Sequence, residues 1–228
     1  MNVITLASRK GGSGKSTLTA HLAAFAHKLG RRTLILDADP QGSLTLWHSM
    51  RRGLEPRLEN AARGIERLLA HAMIDGVEWA FIDTAPTMWV VVEEAIRAAT
   101  LVVIPARPGF FDLAAVVETV KIARKHNKPY AVVINAAPVK RDDKESPTVA
   151  ASRGKLDQLG IPVWSGQISQ RAGYMASLSA GLSAGEVAPD SAAGQEIARL
   201  WSAIERSVAA IRGAQPDSGA REMHSRAA

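Results

Sequence analysis

The stretch Arg9-Lys10-Gly11-Gly12-Ser13-Gly14-Lys15-Ser16-Thr17 decides how this chain is read. It follows a short apolar run at 3–7 and leads at once into a helical pattern at 15–29. Strand, glycine-rich turn and helix in that order are what a phosphate cradle requires. Glycines let the backbone fold tightly enough for successive N–H groups to converge on phosphate oxygens. The amino terminus of the helix adds its partial positive charge at the same point. In that frame Gly11, Gly12, Ser13 and Gly14 would form the cradle and Lys15 would neutralise the β- and γ-phosphates of ATP. The Ser16 hydroxyl would ligate Mg2+, and Thr17 would serve the α-phosphate.

Outward from the loop, short apolar runs alternate with longer helical patterns. The runs lie at 33–37, 79–83, 101–105, 131–135 and 163–168, and they are nearly continuous rather than alternating, as in strands buried on both faces. The helical patterns lie at 42–51, 61–73, 88–98, 112–126, 147–158 and 190–212. The alternation predicts an α/β fold: a mostly parallel twisted sheet flanked by helices on both faces, the P-loop NTPase fold. In the last helix Ile197, Leu200, Trp201, Ile204, Val208 and Ile211 share one face, which suits packing on the sheet. One ATPase domain over 1–212 and a disordered polar tail over 213–228 are expected.

Two carboxylate segments support the loop. Asp37-Ala38-Asp39-Pro40-Gln41 ends the second run, where acidic side chains can hold Mg2+ or orient water. Phe81-Ile82-Asp83-Thr84-Ala85-Pro86 is an apolar strand ending in aspartate, the Walker B form, in which Asp83 would reach Mg2+ through water. The competing reading of Asp83 is a cap for the helix at 88–98.

The loop departs from the ordinary pattern, with Arg9 where a first glycine is usual and a second lysine, Lys10, before the glycine pair. This Lys-Gly-Gly-x-Gly-Lys-[Ser/Thr]-Thr form is the deviant Walker A motif, and the chain resembles the ParA/MinD family of ATPases, closest to its small partitioning or cargo-positioning members. The resemblance implies that Lys10 acts across the interface of an ATP-dependent homodimer and that Asp39 positions the attacking water. It also places Asp37 in the magnesium shell. Asn135 resembles the position that contacts adenine in some relatives, although a strand-end amide satisfying a turn fits as well. Arg171 resembles a basic position that meets non-specific DNA, with Lys121, Arg124, Lys125 and Lys128 as a neighbouring patch or simply a solvated face. The loop 106–112 resembles one lying near the dimer interface, and Asp112 reads equally as an ordinary cap.

On this resemblance the chain is a slow ATPase, with no arginine obvious as a finger within the chain. It would partition or position a cargo, answer to a ParB-like or cargo-adaptor activator, and be cytoplasmic and nucleoid-associated. A MinD-like membrane switch and a metabolic P-loop ligase are the alternatives. The absence of cysteine excludes disulfides and a thiolate-ligated cluster, and with it a nitrogenase-type reductase. No run approaches the ~20 apolar residues of a membrane helix, and the start does not read as a signal peptide. A formal charge of +6 suits a weak affinity for polyanions.

Overall fold

The computed structural model describes residues 1–53, 55–61 and 64–214. Its sheet comprises β1 (Asn2–Leu6), β2 (Thr33–Ala38), β3 (Arg57–Asn60), β4 (Trp79–Thr84), β5 (Leu101–Ala106) and β6 (Tyr130–Ile134). Across the sheet the order is β3-β2-β4-β1-β5-β6, and every neighbouring pair runs parallel. The helices are α1 (Lys15–Lys28), α2 (Ser43–Ser49), α3 (Ile65–Ile74), α4 (Trp89–Ala98), α5 (Phe110–Lys125), α6 (Pro147–Gln158), α7 (Ala172–Ser179), α8 (Ala184–Val187) and α9 (Ala192–Ala214).

Successive strand residues alternate between two cores, as the pleat demands. Ile4, Leu6, Ile35, Phe81, Leu101 and Val103 pack with α1 and α9 on one face. On the other face Val102, Ile104, Val132 and Ile134 meet α4, α5 and α6, while Leu34, Leu36, Ala80 and Ile82 meet α3 and α4. The expected apolar face of α9 is buried through Ile197, Leu200, Trp201, Ile204 and Val208. The Trp201 ring lies 4.5 Å from Trp79 and 6.2 Å from Phe81, so this face is spent on the sheet. No described helix is long and apolar enough to cross a membrane.

The sequence reading is corrected at both edges of the sheet. The run at 163–168 is not a strand of the sheet; isolated bridges flank it, Val163 to Val132 of β6 and Ser169 to Ala137 just beyond that strand. Between them the chain leaves the ladder, because the Arg153 guanidinium takes the carbonyls of Trp164 at 2.6 Å, Ser165 at 3.3 Å and Gly166 at 2.6 Å. The sixth strand is instead β3 at the opposite edge, whose Arg-Leu-Glu-Asn sequence has no apolar run and is held by its pairing with β2. Helix α9 continues two residues past the expected boundary, to Ala214. The rest of the expected polar tail, and residues 62 and 63 of the helix expected over 61–73, lie outside the described residues.

Candidate nucleotide site

Parallel pairing brings the carboxyl ends of β1, β2 and β4 together: Leu6 sits beside Asp83, and Asp83 beside Asp37. Side chains at this edge of the sheet face the loops that follow the strands, where ligands of open α/β folds bind. The phosphate loop leaves β1 here and turns into α1 through Gly12 and Gly14, at φ 69° and 99°. These values are strained for residues with a Cβ. A Cβ at Gly14 would also collide with the Asn135 side-chain amide. Asn135, following β6, donates to the Ser13 carbonyl at 2.7 Å and so fixes the loop from behind. Of its two readings, satisfying a turn is the contact seen, while the side chain also lines the cavity above the loop.

Helix α1 begins without a side-chain cap and without an acidic residue in its first turn, leaving N–H groups open towards the loop. Lys15 is buried, with Nζ 3.3 Å from the Lys10 carbonyl. Burial lowers its pKa, partly offset by the charges of Asp83 and Asp39. Asp83 is fully buried, and neither carboxylate oxygen has a hydrogen-bond partner of good geometry. Burial pushes its pKa up to about 7; the adjoining Ser16 hydroxyl and Lys15 lower it and the charges of Asp37 and Asp39 add to the rise. An orphaned buried carboxylate beside a serine hydroxyl is a donor set that fits a hard divalent cation. No group of three or more His, Cys, Asp or Glu side chains among the described residues could hold a metal ion. Such a cation would therefore take further ligands from phosphate oxygens and water.

Asp37 is buried and already engaged: it accepts from the Thr45 N–H at 3.0 Å, the Thr45 hydroxyl at 2.8 Å and the Asp39 N–H at 3.3 Å, tying α2 to β2. Asp39 lies nearer the surface, accepts only from the Gln41 N–H at 3.0 Å, and faces the cavity. That cavity, about 850 Å³, is lined by Gly11, Gly12, Gly14, Lys15, Ser16, Thr17, Asp39, Asn135 and Arg171 among others.

The sequence matches the CobQ/CobB/MinD/ParA nucleotide binding domain over residues 4–184. The chain belongs to that family. It is 34% identical over 122 residues to the Maintenance of carboxysome distribution protein A of Gloeobacter kilaueensis, matching 52% of this chain and 55% of that protein. It is 42% identical over 74 residues to the chromosome-partitioning ATPase Soj of Thermus thermophilus, matching 32% of this chain and 26% of that one. The matched segments thus span about half or less of these curated relatives. The fold is similar to that of Cyanothece McdA in an ATP complex, with a TM-score of 0.68, 17% identity, and coverage of 90% of this chain and 96% of that chain.

Around the nucleotide-binding motifs of the family, the structure brings several signals together. Lys10 is exposed, its ammonium 5.9 Å from the exposed Phe111 ring. Arg9 stacks on exposed Trp89, its guanidinium carbon 3.1 Å from the ring centroid. Phe110, Phe111, Trp89 and Val90 are all at least half exposed, forming apolar surface close to the loop. Arg171 stands on the far wall of the cavity with its charge shared: Glu196 accepts from its Nη2 at 2.9 Å, and from Ser169 and Tyr174. Burial alone would raise the Glu196 pKa, but these hydrogen bonds outweigh it and hold it below the usual carboxylate range. In the neighbouring patch Lys121 pairs with Glu118 and Lys125 with Glu93, while Arg124 donates to the Tyr130 hydroxyl.

Motif reading offered Asp112 as an ordinary cap and gave Arg107 no role of its own. Asp112 is not the first residue of its helix; it sits in the first turn of α5 and reaches back to accept from the Arg107 N–H at 3.2 Å. Arg107 itself overhangs the phosphate loop: a Cβ on Gly12 would lie 3.3 Å from its Nη2. No sequence spacing links position 107 to position 12; only the adjacency of β1 and β5 does.

Proposed function

We propose that this protein is a Mg2+-dependent ATPase switch: ATP binding pairs two copies, the pair holds non-specific DNA, and hydrolysis, stimulated by a cargo-bound activator, releases it. The observation that carries the reading is the convergence of the uncapped α1 terminus, buried Lys15 and open Asp39 on one cavity, with orphaned Asp83 buried beside Ser16 and Lys15. In this reading the loop N–H groups and Lys15 bind the phosphates, while Ser16 and Asp83 hold Mg2+. Asp37, with Oδ2 taken by Thr45 and Oδ1 by the Asp39 N–H, contributes to the magnesium shell only at second hand and mainly fixes α2. When bound, Mg2+ neutralises phosphate charge. Asp39 orients the attacking water, because its second oxygen is uncommitted within hydrogen-bonding reach of the cavity. Phosphoryl transfer to water needs positioning and charge neutralisation rather than a covalent group.

Dimerisation is supported by the exposed Phe110 and Phe111 beside Lys10 and the exposed Trp89 beneath Arg9, since exposed apolar surface of this kind marks an interaction site. DNA binding rests on the +6 charge and on the partitioning relatives. Arg171 remains our contact residue, although Glu196 already shares its charge. The test is binding to random-sequence duplex DNA with ATP, with ADP and without nucleotide, at two salt concentrations. Salt-sensitive binding seen with ATP alone, and lost in Lys15→Ala, is the expected result. Hydrolysis without DNA binding in any nucleotide state would sink the DNA-switch reading and favour a membrane or metabolic role.

A further inference from the structure

Arg107 carries a charge that has no partner among the described residues. It follows β5 in the turn before α5, between Pro105 and Pro108, and its backbone N–H is anchored by Asp112. Proline fixes φ on one side, and the anchored N–H fixes the turn on the other. Among the described residues its guanidinium makes no hydrogen bond and no ion pair. Three other arginines meet carboxylates: Arg51 meets Glu186 at 2.7 Å, Arg153 meets Glu145 at 2.9 Å and Arg171 meets Glu196 at 2.9 Å. Unlike these, Arg107 extends over Gly12, with Nη2 where a side chain at that position would stand, and it lines the same cavity as Lys15 and Asp39.

A guanidinium presents paired N–H donors suited to two oxygens of one phosphate. Gly12 belongs to the outer part of the loop, away from the α1 terminus where Ser16 and Thr17 lie. A polyphosphate seated on α1 therefore directs its terminal group towards residues 10–12. We propose that Arg107 binds the terminal phosphate of the nucleotide held in its own chain and so makes the site selective for triphosphate over diphosphate. This rests on the nucleotide reading above and adds to it an arginine acting within the chain.

The experiment is calorimetric binding of an imido-bridged, non-hydrolysable ATP analogue and of ADP, each with Mg2+, to the full chain, Arg107→Ala and Arg107→Lys. Loss of a charge-assisted hydrogen bond is expected to weaken the analogue roughly ten- to hundred-fold in Arg107→Ala, with ADP changed by less than about three-fold. Arg107→Lys should recover part of the difference, since a point charge replaces the fork. Thermal unfolding without nucleotide should match the parent, because the side chain makes no bond that folding would lose. Equal losses for both ligands, or none for either, overturn the proposal. So does a selectivity that vanishes at protein concentrations where the chain is monomeric, for the contact would then cross between copies. If the parent binds neither ligand and matches Lys15→Ala, the nucleotide reading itself falls. If the parent binds both and Arg107→Ala is indistinguishable from it, this inference alone falls.

Discussion

At the residue scale, carboxylates of the same type have been given different environments. Asp83 is fully buried with no hydrogen bond of good geometry among the described residues, Asp37 is buried and engaged by Thr45 and the Asp39 N–H, and Asp39 keeps one oxygen free at the cavity. The division predicts separable defects. Asp39→Asn should lower ATP hydrolysis about a hundred-fold or more while leaving analogue affinity within a few-fold, read by single-turnover kinetics beside calorimetry. Asp83→Asn should instead remove the Mg2+ dependence of nucleotide binding, read as affinity with and without the cation. A parent whose affinity ignores Mg2+ would contradict the assignment. That Lys15, Ser16 and Asp83 stand together was legible from motif spacing, because the loop and the aspartate sit at the ends of neighbouring parallel strands. Arg107 was not, since its relation to Gly12 is made by two strands that are neighbours in space and distant in sequence.

The phosphate loop is an element whose shape is held from outside. Gly14 combines φ 99° with Asn135 packed where its Cβ would be, and Asn135 is itself bonded to the Ser13 carbonyl. Gly14→Ala should therefore destabilise the fold by about 1–2 kcal/mol from the left-handed backbone alone, with nucleotide affinity lost besides. Adding Asn135→Ala should restore part of that loss by removing the collision. The double-mutant cycle measured by thermal unfolding checks this, and strict additivity would argue against the packing described. Helix existence along α1, α5 and α9 was readable from period and length. The edges of the sheet were not. β3 has polar edge residues that hold no apolar run, and 163–168 has the run but gives its carbonyls to Arg153.

For the whole molecule, the single sheet and its two helical layers are coupled through a few large buried groups. Trp201 is 1% exposed and packs on Trp79, so Trp201→Ala should cost about 3–5 kcal/mol in chemical denaturation. A surface helix would lose far less. His21 on α1 is fully buried and accepts the Ala184 N–H through Nδ1 at 3.2 Å. Burial lowers its pKa from 6.5 to about 4, so the native state keeps it neutral while the unfolded chain protonates below 6.5. Its stabilising contribution is complete above pH 6.5 and is lost as pH falls towards 4, on the order of 3 kcal/mol in all. His21→Asn, which keeps an acceptor near Nδ1, should flatten that part of the pH–stability curve. The sequence by itself determined the parallel α/β class and the glycine-rich loop and aspartates at strand ends, because these depend on local periodicity and on motifs confined to single strand–loop–helix units. Tertiary structure alone decided the strand order, the edge strand, the engagement of Asp37 by Thr45 and of Arg171 by Glu196, and the approach of Arg107 to Gly12. Each of these depends on which distant backbone lies alongside, and no local pattern of side chains records that.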